Sequence, residues 1–183
     1  MTIDYRKYWN AAFSWAGYLA GEVKEHPALW NGVWERSKVP QWAAEQGARL
    51  GGAWKLLVIS EDWCGDASNT VPVLARLAEA LPGWEMRVAK RDENPELMDA
   101  HLTGGSRSIP LAVLLRPDFT FAGQWGPRPA ELQRFVLTEK RAGLRPVGDI
   151  YRDVRTWYAR DRGETTIREV LTLVEAASRR AAA

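Results

Sequence analysis

The 183 residues contain one cysteine, Cys64, and two histidines, His26 and His101. A lone cysteine rules out an internal disulfide framework. Both histidines lie far from it in sequence, so no metal site is expected there. No apolar run approaches the roughly 18 residues that suggest a membrane span. The opening MTIDYRKYWNAAFSWAG lacks the basic-then-apolar layout of a secretory signal. The expected setting is a reducing cytoplasm, with no membrane partner. Neither sign of charge dominates: 25 Lys and Arg face 23 Asp and Glu, a formal net charge of +2, so no nucleic-acid partner is expected. The glycine loop TGGSRS has neither the spacing nor the lysine of a nucleotide loop, and no cofactor is expected. Internal repeats are absent.

What is present is the composition of a globular chain, 46% hydrophobic and 26% charged. One domain over 1–183 is expected: a helical N-terminal extension (1–50), a core (51–140) and a C-terminal helical extension (141–183). Five of the ten tryptophans (Trp9, Trp15, Trp30, Trp34 and Trp42) fall in the first 50 residues. Aromatic packing of a helical layer explains them; a ligand or partner surface is the alternative. The 3.6-residue period of Tyr5, Trp9, Ala12, Phe13, Ala16 and Leu19 predicts a helix over 4–22. His26 falls in a loop at the Pro27 break. Trp30, Val33 and Trp34 mark a second short helix. A third starts near Pro40 and stops at Gly51-Gly52.

WKLLVIS (54–60) is a continuous apolar run, the mark of a strand buried on both faces. Val71, Leu74, Ala75, Ala78 and Leu81 place a helix after it. A second strand covers 84–92. Asn94 and Pro95 open a short helix, with His101 near its end, expected as a surface or helix C-terminal residue rather than a catalyst. Residues 109–127 read as a hairpin turning at RPD, with Phe119 and Phe121 alternating. Helices follow over 128–140, 149–161 and 165–181, the last with a Thr166/Glu169 capping box. Strand-helix-strand followed by a hairpin implies an α/β fold, a mixed central sheet flanked by helices.

Cys64 falls where the buried strand ends and a helix begins, in SEDWCGDAS. Unpaired N–H groups and the helix dipole favour the thiolate there. Glu61, Asp62 and Asp66 oppose it. A carboxylate about 6 Å away is worth about 0.7 kcal/mol in water and about 2.8 at an effective dielectric of 20; the helix terminus contributes about 0.3–1, up to about 2 when partly buried. The ranges overlap, so the sequence leaves the thiol's acidity open. Asp66 reads either as a first-turn acid that stabilises the helix or as a proton relay or substrate contact.

WCGDA after a buried strand resembles the WCGPC site of thioredoxins, matching at Trp63, Cys64 and Gly65. Pro72 resembles the proline that kinks the family's helix. RDENPELMDAHLTGGSRSIP is similar to the stretch leading to its cis-proline, here Ile109-Pro110. LAVLLRPDFTFAGQWGP is similar to its closing hairpin, with Gly126 at the matching glycine. The similarity covers about residues 50–140, and the chain resembles most closely a bacterial group with EDWCGDA-type sites and a Trp-rich helical N-terminus. It implies a thioredoxin-like fold. It also implies that Cys64 is the exposed attacking thiol, with Trp63, Gly65, Asp66, Ile109, Pro110 and Gly126 around the substrate, Pro110 cis and Gly126 letting a substrate backbone approach. Two parts of the family's machinery are missing: the resolving cysteine is Ala67 and the buried acid is Val58. Dithiol exchange is therefore not expected. A monothiol redox protein remains, acting through a mixed disulfide or a sulfenic acid with a low-molecular-weight thiol or a protein thiol or disulfide partner. The alternative is a redox-inactive module that binds a protein or peptide; a one-cysteine peroxidase is weaker, because its approach motif is absent. The sequence leaves the oligomeric state open.

Overall fold

The computed structural model describes residues 3–182, with the side chains of 181 and 182 left aside; the outermost residues of the expected 1–183 domain lie outside it. In chain order the elements are α1 (Tyr5–Ala11), β1 (Phe13–Ser14), α2 (Trp15–Gly17) with a π-helical turn (Tyr18–Glu22), α3 (Pro27–Arg36) and α4 (Gln41–Leu50). Then come β2 (Trp54–Ser60), α5 (Gly65–Ala80), β3 (Trp84–Lys90), α6 (Pro95–Asp99), β4 (Leu111–Leu115) and β5 (Phe121–Trp125). Three helices end the chain: α7 (Ala130–Ala142), α8 (Val147–Asp161) and α9 (Glu164–Ala182).

The five strands form one mixed sheet in the order β1-β3-β2-β4-β5. The apolar run 54–60 is its central strand, parallel to β3 and antiparallel to β4. Side chains alternate across a strand, and here each face has its own cover. Leu56 and Val58 of β2 with Ala112 and Leu114 of β4 pack beneath α5 and α9. Leu57, Ile59, Leu111, Val113 and Leu115 pack on the opposite side against Tyr8, Trp9, Leu97 and Met98 of α1 and α6. A third apolar cluster, Leu132, Val136, Ile150, Val154 and Tyr158, joins α7 to α8.

The expected helix over 4–22 is broken. Phe13 and Ser14 pair with Val88 and Arg87 as an edge strand, and the Ser14 hydroxyl accepts the Gly17 N–H at 3.1 Å to cap a new helix. The edge pairing and the serine cap outweigh an unbroken helical period. The Thr166/Glu169 capping box does not form. Helix α9 already starts at Glu164, and Asp161 accepts the Thr165 N–H at 3.2 Å. Glu169 instead accepts from Trp125 Nε1 at 2.7 Å and the Ala130 N–H at 2.8 Å, which fastens α9 to the end of β5 and the start of α7. Phe119 is not on the strand; it sits in the hairpin loop with φ +72°. The tryptophans of the N-terminal segment are mainly packing: Trp9, Trp15 and Trp30 are buried, and the Trp15 ring lies tilted against both Trp30 and Trp34.

His101, expected on the surface, is only 3% exposed. Its Nδ1–H donates to Gln124 Oε1 at 2.7 Å and its Nε2 accepts from the Tyr5 hydroxyl at 3.1 Å, with the Tyr5 and Phe121 rings alongside. This tethers α1 and β5 to the end of α6. Burial holds the imidazole below its ordinary pKa, against the Gln124 hydrogen bond that raises it. The folded state therefore keeps His101 neutral while the unfolded chain takes up a proton as pH falls below about 6.5. Stability measured by urea unfolding should be full above that pH and fall as the pH drops toward the depressed folded value. His101→Gln should flatten that slope; an equal slope in the variant would refute the assignment.

Candidate functional site

Strand β2 ends at Ser60, and the loop from Glu61 to Trp63 delivers Cys64 to the N-cap of α5. This loop is braced from behind. Asp62 Oδ2 accepts the N–H groups of Lys24 and Glu25, each at 2.7 Å, and the indole of fully buried Trp30 donates to the Asp62 carbonyl at 2.9 Å. Burial pushes the Asp62 carboxyl up, but the backbone donors of Glu25, Lys24 and Trp63 outweigh it and hold the group below its ordinary value. The charge of Asp62 is thus spent on the N-terminal segment rather than facing the thiol. Glu61 is buried too and accepts the Asp92 N–H at 2.8 Å.

Cys64 is half-buried, a free thiol whose Sγ–H donates to the Ile109 carbonyl at 3.5 Å. The Ile109–Pro110 peptide is cis, and both residues are buried beside the sulfur. Burial pushes the thiol pKa up. The backbone N–H groups of Ala67 and Asp66 and the Arg128 cation lower it; the Asp66 carboxylate raises it further, and the sum is a thiol less acidic than a free cysteine. Trp63 is 47% exposed beside the site, with the Arg91 guanidinium 4.8 Å over its ring. Gly65 is exposed on the first turn.

Asp66 is buried and engaged. Arg128 Nε donates to its Oδ1 at 2.8 Å and Arg128 Nη2 to its Oδ2 at 2.6 Å. The Tyr158 hydroxyl donates to Oδ1 at 2.9 Å. Arg128 also donates to Gln133 Oε1 at 2.7 Å. The carboxylate expected near the substrate is thus part of a bidentate pair joining α5, the segment before α7 and α8. Gly126 is held against the chain's own backbone. A Cβ there would stand 2.4 Å from the Pro110 carbonyl oxygen, and its φ of +125° suits glycine alone. The backbone that needs this glycine is the chain's own. Gly126–Pro127 is a second cis peptide, with no counterpart among the sequence expectations. Ala67 and Val58 are both fully buried in one apolar cluster, so the position of the absent second sulfur is dry.

Cys64, Trp63, Gly65, Asp66 and Ile109 line one cleft of about 490 Å³; Pro110 and Gly126 are not part of its lining. The residues that sequence reasoning missed are Arg128, Tyr158, Arg91 and Arg107, all in the cleft wall. The segment 149–161 reads as a helix in the sequence, but no local signal links Tyr158 to a partner 92 positions away.

A family model described as Thioredoxin matches residues 13–142, so the chain belongs to the thioredoxin family. No curated protein matches the chain significantly. A crystal structure of a protein of unknown function from Pseudomonas aeruginosa is similar at a TM-score of 0.75 and 18% identity, covering 96% of this chain and 99% of that one. An HIV epitope scaffold is similar at 0.74 and 18%, covering 94% and 98%. At that identity the likeness speaks for the fold.

Removing one partner of a buried ion pair strands the other charge. Asp66→Asn should therefore cost about 3 kcal/mol of stability in urea unfolding, and Tyr158→Phe about 1 kcal/mol. Asp66→Asn should also lower the pH midpoint of Cys64 alkylation, because it deletes a repelling charge and leaves the Arg128 cation. A midpoint that stays put or rises would overturn this account of the thiol.

Proposed function

We propose that this thioredoxin-family chain is a monothiol redox protein, in which Cys64 exchanges with the disulfide of a partner seated in the cleft before it. The observation that carries the reading is the position of the sulfur: a free thiol at the start of α5, beside a cis-proline loop and on the wall of a 490 Å³ cleft. Cys64 loses its proton to solvent and its thiolate attacks one sulfur of the partner's disulfide. The Cys64–partner bond forms as the partner's S–S bond breaks, and the second partner sulfur leaves as a thiolate. With alanine at 67 no internal thiol resolves this adduct. A low-molecular-weight thiol from solution attacks the partner's sulfur in the adduct, leaves as a disulfide with the partner, and returns Cys64 as a thiolate. The fitting setting is a reducing cytoplasm, where such a thiol is abundant.

The raised thiol pKa makes this site slow rather than inert. Each unit of increase above ambient pH removes about tenfold of the thiolate but returns about threefold in intrinsic nucleophilicity. The same observation favours a second reading, a redox-inactive module that binds a protein or peptide partner without using the sulfur.

A chromogenic aryl disulfide separates the two. The folded protein should release one equivalent of aryl thiol per chain, at a rate rising with pH to a midpoint above about 8.5, and Cys64→Ser should release none. Turnover of insulin disulfides by small thiols should stay near the uncatalysed rate, because Ala67 supplies no resolving sulfur. If Cys64 reacts only after denaturation, even at alkaline pH, the redox reading is lost and the binding reading stands.

A further inference from the structure

The cleft before Cys64 does not end at the thiol site. A second cleft of about 1160 Å³ lies against it, between the end of α3 with the loop that follows and the end of α8. Leu29, Asn69, Arg155 and Tyr158 line both. The two make one groove, which begins at Cys64, crosses the exposed side of α5 at Asn69, and ends near Gly163. The helical extensions wall its far end, while most of the lining nearer Cys64 comes from the core, including Arg91, Arg107, Ile109 and Arg128. Its combined volume exceeds the few hundred to about 1,000 Å³ of a small-molecule site, so its occupant is elongated.

The groove carries an excess of positive charge. Nine of the chain's 25 basic side chains line it against four of its 23 acidic ones, Glu35, Asp66, Asp161 and Glu164. The carboxylates that pair Arg91 and Arg107 lie outside the lining, so six cations face three carboxylates once the pairs are set aside, an excess of +3. Arg91, Arg107 and Arg128 are paired to carboxylates. The other six, Arg36, Lys38, Lys140, Arg155, Arg160 and Arg162, have no carboxylate within pairing distance among the described residues. All six are exposed. They run the length of the groove, so their field reinforces along it rather than at one point. Apolar positions are interleaved with them: Leu29, Val33, Pro40, Val136 and Leu137. The aromatic side chains in the lining are Trp63 and Tyr151 at the end nearer Cys64 and Tyr158 where the two clefts meet, and Tyr158 is buried. A nucleic acid strand wants successive stacking platforms, and those are missing from the end of the groove away from Cys64. Alternating cationic and apolar positions suit an acidic peptide.

We infer that the groove between α3 and α8 binds an extended acidic segment of a protein partner, leading toward Cys64. The inference rests on the reading of the Cys64 cleft as a partner site, but not on sulfur chemistry. The test therefore uses the full chain carrying Cys64→Ser beside wild type. A fluorescein-labelled peptide of alternating Glu and Ala is titrated and followed by anisotropy, with a single-stranded oligouridine of the same charge as competitor. Both forms should bind the peptide equally, and binding should weaken as salt rises. Reversing two groove charges in Lys38→Glu/Arg162→Glu should weaken it at least about tenfold, while Lys7→Glu, outside the groove, should leave it unchanged. No binding, binding indifferent to the double reversal, or tighter binding of the oligouridine would each overturn the inference. Peptide binding by wild type whose folded Cys64 releases no aryl thiol from the chromogenic disulfide would retain the groove and dismiss the redox reading.

Discussion

A carboxylate buried two residues from the thiol has to be matched, and the match organises the site. Asp66 occupies the first turn of α5, where a negative charge suits the helix dipole but where burial withdraws it from water. Arg128 answers it in bidentate form and Tyr158 adds a third donor. Arg128 lies just after the second cis peptide and Tyr158 sits on α8. One ion pair therefore holds the helix carrying Cys64, the hairpin exit and the C-terminal extension in register. Replacing it by apolar groups would require three elements to be reshaped together, because breaking one member leaves a buried charge behind.

The same pair acts on the sulfur with both signs. The Asp66 carboxylate repels a thiolate and the Arg128 cation attracts it. The two oppose each other at Cys64, burial is the largest influence, and the thiol's pKa lies above its ordinary value. Behind it, Val58 and Ala67 extend the apolar core up to the sulfur. A cysteine in such a setting stays protonated at neutral pH. Under the proposed exchange it would gain from a partner held long enough for a slow step, which would link the chemistry of the thiol to the size of the groove in front of it.

The fold was legible where one local rule sufficed. The run 54–60 announced the central strand because only a strand buried on both faces is apolar throughout. The stripe from Val71 to Leu81 announced α5, and the WCG, Pro72 and Ile109-Pro110 order announced the fold around them. The failures share a cause. Phe13 and Ser14 leave the helix to pair with β3, Glu169 abandons a local cap for Trp125 and Ala130, and His101 is sealed in by Tyr5 and Gln124. In each case a polar group took a partner distant in sequence, which local periodicity cannot register. At Gly126 the close backbone approach that the structure shows is that of Pro110, which also lies distant in sequence.

The helical extensions gain their meaning from this geometry. The N-terminal segment is attached to the cysteine loop, through Lys24, Glu25 and Trp30 at Asp62, and the C-terminal one through Tyr158 at Asp66. The two acidic residues that flank Cys64 in sequence are thus the two anchors of the chain's additions. Because both anchors sit within two residues of the sulfur, the walls that α3 and α8 raise are positioned relative to Cys64 rather than to the sheet. A core without a resolving sulfur at Ala67 and without a buried acid at Val58 carries instead a frame anchored at Asp62 and Asp66. What dithiol chemistry would have required of the interior behind Cys64 is replaced by surface in front of it.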